Sequence, residues 1–154
     1  ARGNLGFQSE VRSDTAPLNT LVWGLCQAVP TVHVLRDPTR GGLATTLAEI
    51  AAQSQVNITL EEAAIPIDQP VRKACELLGL DPLYLANEGK MIVILPEVDV
   101  PAALSYLHTQ RYGEGAQLIG KVSAMPAGQV WLRTPLGTTR VLEMLAGEML
   151  PRIC

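Results

Sequence analysis

Between residues 32 and 61 the hydrophobic pattern switches from strand period to helix period and back. That rhythm restricts the fold more than any other feature of the chain. VHVLR (32–36) reads as a strand, and DPTRGG follows as a tight glycine-containing loop. A helix of about 42–54 then carries Leu43, Leu47, Ile50 and Ala51 on one face, and NITLE (57–61) reads as a second strand. A strand–loop–helix–strand run requires a sheet with helices packed on it.

The rest of the chain extends the pattern. Ser13-Asp14-Thr15 offers N-cap chemistry and Pro17 suits a first helical turn. Leu18, Leu21, Val22, Leu25, Cys26 and Val29 follow helical spacing up to Pro30. A helix is expected over 69–79, ended by Gly79. MIVILP (91–96) is a continuous apolar run of strand length, expected to form a central strand covered on both faces. Another helix should open at Asp99 or Val100-Pro101 and run to about Tyr112. Strands over 117–123, 129–133 and 138–142 complete a meander. The expected fold is one α/β domain, a mixed β-sheet packed by helices.

Composition narrows the function classes. A chain of 154 residues is the size of one ordinary domain, and its 47% hydrophobic content supports a real core. A net charge of −3 argues against a nucleic-acid surface. No apolar run approaches the ~20 residues that span a bilayer, so no membrane partner is expected. The N-terminal ARGNLGFQSE has no apolar stretch after its charge and does not read as a signal peptide. The three cysteines at 26, 75 and 154 match no zinc spacing, and a reducing cytoplasm suits them. Cys26 and Cys75 lie on apolar helix faces and read as small core residues.

Two stretches could carry chemistry. In LRDPTRGGLA (35–44), Gly41 and Gly42 let the backbone approach a ligand where a helix begins. The first N–H groups and the helix dipole suit a phosphate or carboxylate there, and Arg40 could add a bidentate contact. The alternative is a tight turn with Asp37 as the cap. The loop is no Walker A motif, because the lysine and the glycine spacing are missing. In LANEGK (85–90), Asn87 and Glu88 precede the apolar run at a strand mouth, where a carboxylate could act as base or magnesium ligand. The alternative is turn chemistry alone. His33 reads as a packed or edge residue and His108 as exposed, with no second ligand at metal spacing. YGEGAQLIG (112–120) fails as a dinucleotide fingerprint.

Taken in order, DPTRGGLA, LANEGK, YGEGAQLIGKV and the terminal PRIC resemble the HypE family of hydrogenase-maturation proteins. That family lies in the ATP-using superfamily of aminoimidazole ribonucleotide synthetase and selenophosphate synthetase. The likeness spans essentially the whole chain but corresponds to the C-terminal domain of the family. The RGG and IG motifs are shared across the superfamily, whereas PRIC singles out HypE.

The resemblance implies an ATP-dependent carbamoyl dehydratase. A partner carbamoyltransferase (HypF) would place a carboxamide on Cys154, which ATP-driven dehydration turns into a thiocyanate. The cyano group would pass to iron in a HypC–HypD complex. ATP and Mg2+ would be bound mainly by an N-terminal domain outside this sequence, which would also form a homodimer. The isolated domain is expected to be a monomer, inactive alone.

By the same resemblance Cys154 is the covalent carrier, and Arg40, Gly41 and Gly42 help hold phosphate. Asp37 shapes the loop or touches magnesium, while Asn87 and Glu88 face the thiocarboxamide, with Glu88 as proton acceptor. Residues 1–17 would be an interdomain connection, 18–146 the α/β domain and 147–154 a flexible tail. The rival reading is a non-catalytic domain that binds anions or partners, its terminal cysteine incidental.

Overall fold

In the computed structural model, which describes residues 13–145, helices and strands alternate up to a fourth helix, after which three strands follow in succession. The helices are α1 (Asn19–Ala28), α2 (Gly42–Ser54), α3 (Gln69–Leu78) and α4 (Val100–His108). The strands are β1 (Val34–Arg36), β2 (Asn57–Glu61), β3 (Ile92–Ile94), β4 (Gly120–Ser123), β5 (Gln129–Arg133) and β6 (Thr139–Leu142). Pro70 and Pro101 sit in the first turns of α3 and α4, where a missing N–H costs nothing. Gly79 ends α3 in the left-handed region with φ 67°, as its sequence position predicts.

The strands form two sheets. Four of them make a mixed sheet in the order β4-β2-β5-β6, in which β2 and β5 run parallel and the other neighbours antiparallel. Ile58 pairs with Val130 and Leu60 with Leu132, and all four point to one face. Against that face α2 lays Ala44, Leu47, Ala48 and Ala51, a helical i, i+3, i+4, i+7 stripe of mostly small residues that brings helix and sheet close. Leu43 and Ile50, expected on this face, pack half-buried at its margin. Each fully buried Leu or Val here contributes roughly 1.5–3 kcal/mol.

The other two strands, β1 and β3, pair only with each other, antiparallel, with Leu35 opposite Val93. The MIVILP run is therefore not a central strand, since β3 has a neighbour on one edge alone. Its unbroken apolarity has another cause. Ile92 is buried in the α2–sheet cluster, whereas Val93 and Leu95 pack against Leu25, Val29 and Ala103 of a second cluster. That second cluster lies under α1 and α4. The run serves two cores, one on each side.

Three local expectations are corrected. Ser13-Asp14-Thr15 does not cap α1; the helix starts at Asn19 after Leu18, with no side-chain cap. Cys26 is half-buried rather than core, while Cys75 is buried. The helix near Tyr112 stops at His108, whose Nε2 meets the Ala116 carbonyl at 2.8 Å in the following turns. His33 is an exposed residue beside the ribbon, its backbone N–H donating to Ile94 O.

Candidate functional site

The two chemistry-bearing loops are brought together. β1 ends at Arg36, the chain turns through Asp37–Gly41, and α2 begins at Gly42. Gly41 takes a left-handed conformation with φ 65°, and no side chain caps the helix. Asp37 is thus not the cap. It accepts a hydrogen bond from Thr39 Oγ1 at 3.3 Å and pairs with Arg36 Nη1 at 3.4 Å, so it shapes the loop. Without a cap, the first-turn N–H groups of α2 have no intrahelical acceptor.

Gly42 is fixed by a close approach. A Cβ there would lie 2.5 Å from Leu83 O and 2.6 Å from Leu85 O. The helix start is pressed onto a 3-10 turn, Pro82–Tyr84, that leads into LANEGK. The contact is completed by the Asn87 backbone N–H, which donates to Pro38 O at 3.0 Å. Asn87 also folds its amide back onto Leu85 O at 2.7 Å, holding the second loop in shape.

Of the residues expected at the site, Asp37, Gly41, Gly42 and Asn87 form this junction. Arg40 is exposed beside it and makes no ion pair among the described residues. Glu88 is also exposed. Its backbone N–H donates to Asp14 Oδ2 at 3.2 Å, and no described residue binds its carboxylate. Cys154 lies outside the described residues, as do the proposed tail 147–154 and most of the lead-in 1–17.

Two contributors were not expected from the sequence. The Thr45 hydroxyl is buried without a hydrogen-bond partner among the described residues. It sits directly under Gly41, where a Cβ would collide with Thr45 Oγ1. The signal was the spacing: Thr45 is four residues after Gly41, one helical turn. Asp14 is the other. Besides the Glu88 amide it pairs with Lys90 Nζ at 3.5 Å, and its carbonyl occupies the space a Cβ on Gly89 would need. The segment before α1 thus clasps the Asn87–Lys90 loop.

The donor set at the start of α2 suits an anion: N–H groups without a side-chain cap, the Thr45 hydroxyl without a partner among the described residues, and an exposed Arg40 preceding them in the loop. It does not fit a divalent cation. Among the described residues no three His, Cys, Asp or Glu side chains come together, and Asp37 is a single carboxylate engaged by Arg36.

The Pro82–Tyr84 turn also holds the far edge of the sheet. Asp81 accepts from the Leu83 N–H at 2.9 Å and pairs with Arg140 Nη2 at 2.7 Å. Tyr84 donates its hydroxyl proton to Glu143 O at 3.0 Å, just past β6. Below the turn lies a shallow hollow of about 400 Å³ floored by Cys75 and Leu83. Burial pushes the Cys75 thiol above its ordinary pKa, with the charges of Asp81 and Glu76 adding to the effect.

The chain is 52% identical over 153 residues to a protein from Cupriavidus necator named carbamoyl dehydratase HypE, covering 99% of this chain and 44% of that protein. It superimposes on a crystal structure of hydrogenase maturation protein HypE in complex with ATP with TM-score 0.89 and 53% identity, over 97% of this chain and 46% of that one. A HypE–HypF complex matches with TM-score 0.85 and 39% identity, over 92% of this chain and 46% of that one. The chain therefore spans less than half the length of the curated relatives it matches. The family model described as AIR synthase related protein, C-terminal domain, matches residues 3–133, and the chain belongs to that family.

Proposed function

We propose that this chain is the C-terminal part of an ATP-dependent carbamoyl dehydratase that supplies the cyanide ligand of nickel–iron hydrogenases. The observation that carries this reading is the junction of the two loops through Asn87 and Pro38, with an anion-suited helix start on one side and, on the other, a carboxylate with no partner among the described residues. The names of the relatives supply the reaction class.

The chemistry needs both halves of that junction. In the thiocarboxamide Cys154–S–C(=O)–NH2, the amide oxygen is a very poor leaving group. Transfer of the ATP γ-phosphoryl to that oxygen converts it to a phosphate ester. Loss of the two N–H protons, with departure of phosphate, then leaves S–C≡N. The products are the thiocyanate, ADP and phosphate. Arg40 and the backbone around Gly41 and Gly42 hold phosphate oxygens, and the Thr45 hydroxyl adds a donor beneath them. Asn87 orients the carboxamide. Glu88, exposed and without an ion pair among the described residues, accepts the proton.

Mg2+ is held by the preceding part of the full-length protein rather than by these residues. The carbamoyltransferase HypF loads Cys154, and the HypC–HypD complex receives the cyano group. The full-length protein is a cytoplasmic homodimer, whereas the 154-residue segment alone is monomeric and inactive.

The test is the mass of the full-length protein after incubation with the transferase, carbamoyl phosphate and ATP. Cys154 gains a carboxamide and then loses the elements of water. A Cys154→Ala variant gains neither while keeping its melting temperature. Loading on another residue, or no loading at all, defeats the reading.

A further inference from the structure

We propose that Asp14 is a positioning residue for Glu88: it fixes the backbone from which that carboxylate leaves its loop. The inference rests on the function proposed above, in which Glu88 accepts the proton, and adds a residue and a role to it. Asp14 and Glu88 lie 74 positions apart, yet Asp14 Oδ2 accepts from the Glu88 N–H at 3.2 Å. The same oxygen pairs with Lys90 Nζ at 3.5 Å, so one carboxylate spans the loop from residue 88 to residue 90. Between these two anchors Gly89 lies against the main chain of the same segment. A Cβ there would collide with the Asp14 carbonyl oxygen and come within 3.0 Å of the Ala16 nitrogen.

The loop is held from its other side as well. The Asn87 N–H donates to Pro38 O at 3.0 Å, and the Asn87 amide group donates to Leu85 O at 2.7 Å. Consecutive backbone amides, Asn87 and Glu88, are thus bound to two different segments. The peptide planes on either side of Asn87 are fixed, and the Gly89 contact fixes the chain just after Glu88. The Glu88 side chain itself is exposed, and no described residue holds its carboxylate. Its direction is therefore set by the backbone it grows from. A base must reach the proton it removes at hydrogen-bond distance, and a displacement of about 1 Å is enough to lower a rate many-fold. Removing the Asp14 carboxylate frees one of the two bound amides and leaves the Pro38 junction in place.

The experiment uses the full-length protein with Asp14→Ala, Asp14→Asn, Gly89→Ala and Glu88→Gln, and the double variant Asp14→Ala/Glu88→Gln. The first-order rate of conversion of the loaded carboxamide to thiocyanate is measured at saturating ATP, beside the KM for ATP and the melting temperature. Asp14→Ala should slow conversion roughly three- to ten-fold, the range set by one hydrogen bond, with the KM unaltered. Asp14→Asn keeps an acceptor for the Glu88 amide and should restore most of the rate. Gly89→Ala displaces the same segment and should slow conversion as Asp14→Ala does. On the residual rate of Glu88→Gln, the loss of Asp14 should add nothing, because both changes act through one carboxylate.

A merely structural role would slow Asp14→Asn as much as Asp14→Ala, or raise the KM and lower the melting temperature alongside the rate, and would overturn the proposal. Further slowing in the double variant overturns it too; where Glu88→Gln leaves no measurable rate, rescue by asparagine decides. Wild-type conversion by Glu88→Gln refutes Glu88 as the proton acceptor, and the role of Asp14 falls with it. Slow conversion by Glu88→Gln together with an unchanged rate in Asp14→Ala keeps that reading and overturns the positioning role alone.

Discussion

The backbone amide of Asn87 donates to the carbonyl of Pro38 at 3.0 Å and so ties two loops 49 residues apart into one surface. In the proposed reaction neither loop carries the chemistry alone. The first offers N–H groups, a hydroxyl and Arg40; the second offers an amide and a carboxylate. Their junction depends on the absence of a side chain at Gly42, and that dependence can be measured.

Gly42→Ala should destabilise the domain by roughly 2–5 kcal/mol, from a left-handed backbone combined with collision against two carbonyl groups. Its φ is 64°, and the new Cβ would sit 2.5 Å from Leu83 O. Gly79→Ala is the control, with φ 67° and nothing within 4 Å. It should cost roughly 1–2 kcal/mol, from conformation alone. Urea denaturation of both variants checks the difference, and equal losses would show that the contact with the turn contributes nothing.

Arg40→Ala should leave folding untouched, because the side chain is exposed and unpaired among the described residues. In the full-length protein, conversion of the loaded carboxamide should drop roughly ten-fold or more, the cost of losing a charged hydrogen bond. Lysine should restore charge but not the two-pronged contact, and so rescue only in part. Steady-state rates for both variants decide the matter; full activity in the alanine variant removes Arg40 from the phosphate site.

Asp14→Ala removes the acceptor of the Glu88 amide and the partner of Lys90. Both contacts are solvent-accessible, so stability should change by less than about 1 kcal/mol. The local effect should be larger than the global one. Amide exchange at Glu88 should accelerate while exchange in β2 and β5 holds constant, which hydrogen-exchange mass spectrometry can separate.

Cys75 gives the domain a dependence on alkaline pH. Its folded pKa is raised above the ordinary 9.0, so between 9.0 and the folded value the unfolded chain has released a proton that the native state keeps. Stability is then full below pH 9.0 and declines as pH rises through that window. Cys75→Ala should remove this decline. The stability difference between wild type and variant should therefore shrink from about pH 8 to about pH 10 in urea titrations; a constant difference contradicts the burial account.

Much of the architecture is legible because its signals are local. α2 is bounded by Gly41 and a left-handed Gln55, and β5 alternates buried with more exposed residues over its full length. The split into two sheets is not local. Ile92 and Val93 are adjacent apolar residues, and nothing in their identities says that each belongs to a different core. The site shows the same division. The glycines and Asn87 announce themselves by residue type and loop context. Asp14 does not, because its carboxylate meets the Glu88 amide across 74 residues, and such a meeting is a property of the assembled chain. Thr45 reads as an ordinary helical residue until its hydroxyl is found buried beneath Gly41.

The parallel pairing of β2 with β5 carries a kinetic consequence. Asn57 and Gln129, joined across it, are 72 positions apart, and a parallel pair has no hairpin from which to zip. β4 docks on one side of β2, and β6 can dock only once β5 is placed. The helix–sheet core thus waits on a long loop closure, whose entropy must be met before most of its apolar contacts form. α2 and the antiparallel β5–β6 hairpin are the pieces able to form early. Until they meet, Leu60 and Leu132 lie on strands not yet joined to each other and stay uncovered, so refolding yield should fall with protein concentration more steeply than for a helical domain of the same length.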